Sequence, residues 1–452
     1  MIKLPEYVLK FMQKFWDLGY EIYVVGGAVR DALLGKTVDN YDFTTNALPE
    51  QILKLFPDAS YQNNYGTVLI SHTLSSDKRI LFEVTTFRKE SKYADFRHPE
   101  EVVWADTLKE DLERRDFTIN AMAFDGKTII DLFGGRQDLK NKIIRAVGDP
   151  DKRFSEDALR LIRAVRFASQ LGFMIEPKTA ESIKKNAKLI KNISWERIRD
   201  EFLKILSSDY PYEGVMFLHN LNLLVQILPE VEQSFSVEQK SPMRHHIYDV
   251  GTHLLLSLKY CRKKDPILRF AVLLHDIGKL KTYHKDEKTG LITFYNHEVV
   301  GYIMAKKIAK RFRLSKEQTK KLTTLVRFHQ FTVSERQSDK AIRRFIRNVG
   351  KEYLEDMFEL RRADRLGSSA KETSWRLELF KQRVNQMLQE PFTVSDLKID
   401  GYDVMKILGI SPGPKVGKVL QSVFEKVETK ELPNDREKLL DYLNSLKKAE
   451  SK

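Results

Sequence analysis

The stretch from Val24 to Asp42, VVGGAVRDALLGKTVDNYD, constrains this chain more than any other. Its pattern predicts a strand at Glu21–Val25, a tight turn at Gly26-Gly27 and a short helix at Ala28–Leu34. A break at Gly35 and a second strand ending near Phe43 come next. Two adjacent glycines let the backbone approach a ligand closely and leave bare N–H groups at a helix start, a common way to hold a phosphate. Arg30, in the first turn of that helix, adds charge-assisted bonds to the same anion. Residues two apart in an extended strand point the same way, so Asn40 and Asp42 are expected to share a face. A phosphate cradle beside a cluster of metal-binding oxygens suits nucleotidyl transfer. A ligand-free strand–turn–helix is the plainer reading of the glycines alone.

GGAVRDALLG followed by Asn40-x-Asp42 resembles the active-site signature of class II tRNA nucleotidyltransferases, the CCA-adding enzymes, and of the related bacterial poly(A) polymerases. The family's two metal-binding carboxylates are normally Asp-x-Asp, and the first position here is Asn40. The neighbouring Asp39 is expected on the opposite face of a regular strand. Asn offers a neutral oxygen, so weaker Mg²⁺ binding is expected than at a two-aspartate site, with Asp39 or Glu83 as a replacement.

Length and composition bound the rest. At 452 residues, the chain has room for two to four domains. Its 42% hydrophobic and 31% charged residues are those of a soluble protein, with no apolar run of about 18 residues. The N-terminus reads as an amphipathic helix without a small-residue cleavage site. Cys261 is the only cysteine, which excludes intrachain disulfides and thiolate metal clusters. These features together predict a cytoplasmic protein. The net charge of +14 suits a polyanionic partner, although a merely soluble basic protein carries it equally.

Strand signals are confined to residues 1 to about 145. Thr67–His72 and Ile80–Phe87 read as a hairpin, as do Ala121–Phe124 and Thr128–Leu132 across Asp125-Gly126. A further helix is expected at Pro49–Leu55, and from Phe154 the periodicity is helical. The predicted fold class is α+β: a small mixed-sheet head at 1–145, then a helical neck at 146–235. A domain at 236–370 and a helical tail at 371–452 complete it, with soft boundaries near Asp149-Pro150, Gln233–Pro242 and Gly367–Lys371.

Several further segments carry candidate chemistry. Glu83 shares a strand face with Thr85, so it either completes an acidic Mg²⁺ site with Asp42 or is an exposed strand carboxylate. Arg114, Arg115, Asp116 and Asn120 in RRDFTINA suit triphosphate and ribose contacts, or form a solvated arginine pair. The string matches the family's ribose-recognition motif, with Asn120 in a supporting place. A helix is expected at Ser155–Gly172, capped by Ser155, with Asp157, Arg160, Arg163 and Arg166 on one half and Phe167 intruding among the arginines. That half is either a solvated face or, as the resemblance implies for the EDxxR string Glu156–Arg160, a template for the incoming base.

Cytosine and adenine both present an amino donor beside a ring-nitrogen acceptor, matching an aspartate acceptor and an arginine donor. Guanine and uracil present the reverse, leaving both protein groups unpaired at about 1–3 kcal/mol each. Asp157 and Arg160 thus admit CTP and ATP, with Arg163 and Arg166 facing the triphosphate. The polar segment Ser91–Trp104 resembles the family's flexible loop for adding the terminal A.

In the helical half, His253, His275, Asp276, His297, His329 and Asp364 follow the order H…HD…H…H…D, with HDIGK at the centre. This resembles the HD superfamily of metal-dependent phosphohydrolases, over roughly residues 240 to 370. Imidazole and carboxylate ligands suit Mn²⁺, Ni²⁺, Fe²⁺ or Mg²⁺. Gly409 and the Pro412-Gly413-Pro414 turn before Lys415 and Lys418 either contact tRNA phosphates or form an interhelical turn. The whole predicts Mg²⁺-dependent addition of CCA to tRNA 3′ ends from CTP and ATP, with release of pyrophosphate. A poly(A) or CC-adding polymerase, or an RNA-binding HD phosphohydrolase with an impaired head, is the alternative.

Overall fold

The computed structural model describes residues 2–61, 66–75, 78–89, 103–239, 248–389, 394–429 and 431–450. By packing, the chain divides into one unit of residues 1–329 and 359–370 and a second of 330–358 and 371–452.

The first unit opens with the amphipathic helix Glu6–Trp16, which buries Val8, Phe11, Met12 and Phe15. It packs on a seven-stranded sheet ordered Ser60–Tyr61, Thr67–Ser75, Lys78–Thr86, Asp42–Thr45, Ile22–Val25, Met122–Phe124 and Ile129–Asp131. Neighbours are antiparallel except Asp42–Thr45 with Lys78–Thr86, a parallel pair that registers Asp42 beside Glu83. Successive side chains along a strand point to opposite faces of the sheet. Phe43 and Phe82 pack on Phe11, with centroids 4.9 and 4.5 Å apart, so Asp42 and Glu83 face the other side.

Both expected hairpins are present, as are the helices at Gly27–Leu33 and Pro49–Leu55. The head and its mixed sheet are followed by helices, as the α+β reading expects. Among the described residues, no helix is long and apolar enough to cross a membrane. The segment Ser91–Trp104 falls outside the described residues except Val103-Trp104, which pair with Arg88-Lys89.

Two local expectations are corrected. The second strand begins at Asp42, and Asn40 lies before it in irregular, exposed chain, so the two do not share a strand face. Nor does a helix start at Ser155. Pro150 opens an earlier one, Pro150–Glu156, with Asp149 accepting the Asp151 N–H. The chain turns extended at Asp157 (φ −136°, ψ 104°), and the next helix runs Leu159–Leu171. Ser155 sits inside the first helix, where its hydroxyl donates to the Lys152 carbonyl.

The second unit is helical. Its aromatic residues Phe331, Phe345, Phe358 and Phe380 cluster. Its tail helices Gly401–Leu408, Pro414–Glu428 and Arg436–Glu450 close over Val404, Val423, Phe424, Leu439 and Leu443.

Candidate active site

Gly26 takes φ 69°, a conformation glycine adopts freely. A Cβ there would stand 3.2 Å from Nη1 of Arg115, so that guanidinium lies over the turn. Arg30 leans back on Gly27 at 3.5 Å by the same measure.

What holds the Arg114-Arg115 pair is Asp111, on the helix Leu108–Glu113. Arg114 donates Nε and Nη2 to its Oδ1 (3.0 and 2.6 Å), and Arg115 donates Nη2 to its Oδ2 (3.3 Å). Thr44, on the strand Asp42–Thr45, donates to the same Oδ2 at 3.1 Å. Asp111 is wholly buried. Burial pushes its pKa up, but the two arginines outweigh that and hold it below the usual range. The sequence reading missed Asp111, although its signal was present: an acid three and four positions before two adjacent arginines.

A second chain of contacts joins the remaining motifs. Arg30 donates Nη1 to Asn120 Oδ1 (2.8 Å), and Asn120 donates Nδ2 to Asp116 Oδ1 (3.2 Å). Arg163 clasps Asp116 Oδ2 at 2.9 and 2.6 Å. Burial alone would raise the Asp116 pKa; Arg163, Asn120 and Arg160 reverse it, to about 2. The segment around Asn120 is a 3₁₀ turn, Thr118–Asn120.

Asp42 and Glu83 stand side by side. Burial raises the pKa of Asp42 against the pull of Arg115, and burial then the Asp42 charge raise that of Glu83. Two adjacent carboxylates held at a cost suit a hard divalent cation, for which oxygen ligands are preferred. The charge of Asp39 acts instead on Tyr7 and Tyr41. Glu83, rather than Asp39, is therefore the carboxylate beside Asp42.

Asp157 does not share a helix with Arg160, Arg163 and Arg166, which lie three residues apart in Leu159–Leu171. Asp157 lies outside it, accepting the Leu159 N–H (3.0 Å) and Nη2 of Arg197 (2.9 Å). Arg160 is buried, donating to Glu156 Oε2 (2.8 Å) and to the carbonyls of Arg153 and Arg114 (3.1 and 2.9 Å). Arg166 pairs with Glu201 at 2.5 Å. Arg197 and Glu201 were also missed, being remote in sequence from the motifs they support.

The six residues of the H…HD…H…H…D pattern converge in the same unit, in two triads: His253, His275 and Asp364, and Asp276, His297 and His329. Asp276 adjoins both, with Oδ2 3.5 Å from Nε2 of His253 and of His275, and Oδ1 3.2 and 3.4 Å from Nε2 of His297 and His329. His275, His297 and His329 each place Nδ1 2.8–2.9 Å from a main-chain carbonyl, of Val272, Phe294 and Val326. A carbonyl only accepts, so Nδ1 carries the hydrogen and each ring turns its Nε2 inward. Nε2 of His297 and Nε2 of His329 then face each other at 3.4 Å, which calls for a proton or a metal ion between them.

Residues 22–145 match the family described as Poly A polymerase head domain, and 172–235 that described as a probable RNA and SrmB-binding site of polymerase A. Residues 292–443 match the family described as tRNA nucleotidyltransferase domain 2 putative. The CCA-adding enzyme of Levilactobacillus brevis is 34% identical over 95% of this chain and 95% of that protein. That of Lactobacillus helveticus is 46% identical over 52% of this chain and 62% of that protein. The crystal structure of the Bacillus stearothermophilus CCA-adding enzyme in complex with CTP superposes with a TM-score of 0.70 at 27% identity, covering 99% of each chain. The Thermotoga maritima CCA-adding enzyme complexed with tRNA shares the fold, with a TM-score of 0.58 at 21% identity.

Proposed function

The chain belongs to the family of CCA-adding enzymes, which are tRNA nucleotidyltransferases, and from that premise we propose how its residues build a CCA end on tRNA from CTP and ATP. The observation that carries the proposal is Arg115, which lies over the Gly26 turn and also acts on Asp42. The phosphate cradle and the carboxylate pair therefore form one site.

Asp42 and Glu83, with the neutral oxygen of Asn40 from the preceding chain, would hold Mg²⁺. When bound, that ion supplies charge stabilisation for the attacking and leaving oxygens. The main-chain N–H groups at Gly26-Gly27, with Arg30 and Arg115, orient the triphosphate; Arg114, Asp116 and Asn120 set the ribose side. The tRNA 3′-hydroxyl attacks the α-phosphorus and pyrophosphate leaves. Arg163 and Arg166 add positive charge toward the triphosphate. In the second unit, Gly409, the Pro412–Pro414 turn, Lys415 and Lys418 would bind tRNA backbone phosphates, by charge and shape rather than base readout. The substrate places the enzyme where tRNA matures, in the cytoplasm.

For Asp157 and Arg160 to read a base, they must exchange protein partners for it: Arg197 and the Leu159 N–H for Asp157, and Glu156 and two carbonyls for Arg160. D157A is expected to reduce discrimination of CTP and ATP over UTP and GTP by about ten- to a hundredfold, the cost of an unpaired polar group. Single-nucleotide incorporation with each labelled triphosphate measures it, and unchanged discrimination would refute the template.

A second activity is supported by the inward-facing imidazoles. His253, His275 and Asp364, and Asp276, His297 and His329, would hold transition-metal ions such as Mn²⁺, Ni²⁺ or Fe²⁺, or else Mg²⁺, in an HD-type centre. A bound metal of that kind activates water against a phosphoester. Opening of a 2′,3′-cyclic phosphate at an RNA end to the phosphomonoester is expected to vanish on chelation and return with added Mn²⁺ or Ni²⁺. H275A should abolish that ring opening and leave CCA addition intact; ring opening that survives H275A would contradict the assignment.

A further inference from the structure

We propose that Phe167 is a positioning residue for the nucleotide triphosphate, gathering three arginines on its ring. The proposal rests on the nucleotide-site reading above. Phe167 lies on the helix Leu159–Leu171 and is 4% exposed. The guanidinium of Arg166 stacks 3.7 Å from its ring centroid, and those of Arg30 and Arg163 lie at 5.2 and 5.4 Å. All three are within the roughly 6 Å reach of a cation–π contact. The arginines come from two elements: Arg30 from the helix after the glycine turn, Arg163 and Arg166 from the neck helix. Phe117, next in sequence to Asp116, meets the Phe167 ring edge-on at 5.7 Å and 77°.

Three guanidiniums crowded together repel one another. Each is paired with a carboxylate of its own: Asp31, beside Asn120, for Arg30, Asp116 for Arg163, and Glu201, beside Gln170, for Arg166. The negative face of an aromatic ring attracts cations and carries no net charge. A phenylalanine here therefore keeps three ion-paired arginines from two elements assembled on one ring, a role that packing alone does not require.

The test replaces Phe167 with leucine and with methionine, and separately with phenylalanines bearing one, two or three ring fluorines. Fluorination nearly preserves shape while draining the ring's negative face. F167L, or F167M if the leucine variant does not fold, should raise KM for both CTP and ATP about tenfold. The change in kcat and in KM for tRNA should stay within about twofold. Across the fluorinated series, nucleotide KM should rise stepwise with fluorine number at constant melting temperature. A flat series, or loss of kcat and melting temperature at unchanged nucleotide KM, overturns the proposal and leaves Phe167 as packing. R30A and R163A serve as controls. If neither raises nucleotide KM, the arginines do not bind triphosphate and the nucleotide-site reading fails. If both raise it while the fluorinated series is flat, only the role of Phe167 falls.

Discussion

Replacing Asp42 with asparagine is expected to lower CMP and AMP incorporation by at least about 10³-fold, the scale lost when one preorganised charge partner of a transition state is removed. The same change should leave the melting temperature unchanged or raise it. Asp42 is held in its ionised form against burial, and its charge in turn penalises Glu83. A neutral isostere relieves both penalties, so the site sacrifices stability to keep two carboxylates together. The same two shifts set the sign with pH. Both groups take up protons at higher pH than ordinary carboxylates, so incorporation by the unaltered enzyme should fall on acidification before Asp116, with its pKa of about 2, is affected. Parallel calorimetry and incorporation assays on D42N check the pair of effects. A variant that is inactive because it unfolds would contradict this account.

Asp111 is expected to behave in the opposite way. It is a buried carboxylate bonded to two arginines and to Thr44 of the strand that carries Asp42. D111A leaves two cations without their shared acceptor and Thr44 without one partner. Breaking such a buried pair by removing one member costs about 3–5 kcal/mol. The urea midpoint should therefore fall steeply and nucleotide KM should rise with it, because Arg115 loses its anchor above the glycine turn. D111A with an unshifted midpoint would mean that Arg114 and Arg115 are held by other means.

How far these features were legible in the sequence depends on the range of the interactions. The Gly26-Gly27 turn, the hairpins and the amphipathic first helix depend on neighbours a few positions apart, and local pattern reveals them. The register that sets Asp42 beside Glu83 is non-local, but both strands alternate, so the shared face of Glu83 and Thr85 already indicated the side. Asn40 was placed on a strand by extrapolating that alternation two residues too far. The break at Asp157 was hidden because Leu161, Ile162 and Val165 continue a helical period that masks where the helix begins; Pro150 after Asp149 was the available sign of an earlier start. Arg197 and Glu201 reach the neck arginines and Asp157 from another helix, a contact no local pattern records. In the helical half, the order of histidines and aspartates pointed to a cluster, whereas the carbonyls that orient the rings emerge only from the folded chain.

The most direct test incubates the purified protein with a tRNA transcript lacking its CCA end, Mg²⁺, and labelled nucleotides singly and in pairs. The account predicts two C residues from CTP alone, one further A when ATP is added, no extension with UTP or GTP, and arrest after CCA. A transcript left unextended, or extended into a poly(A) tract, would contradict it.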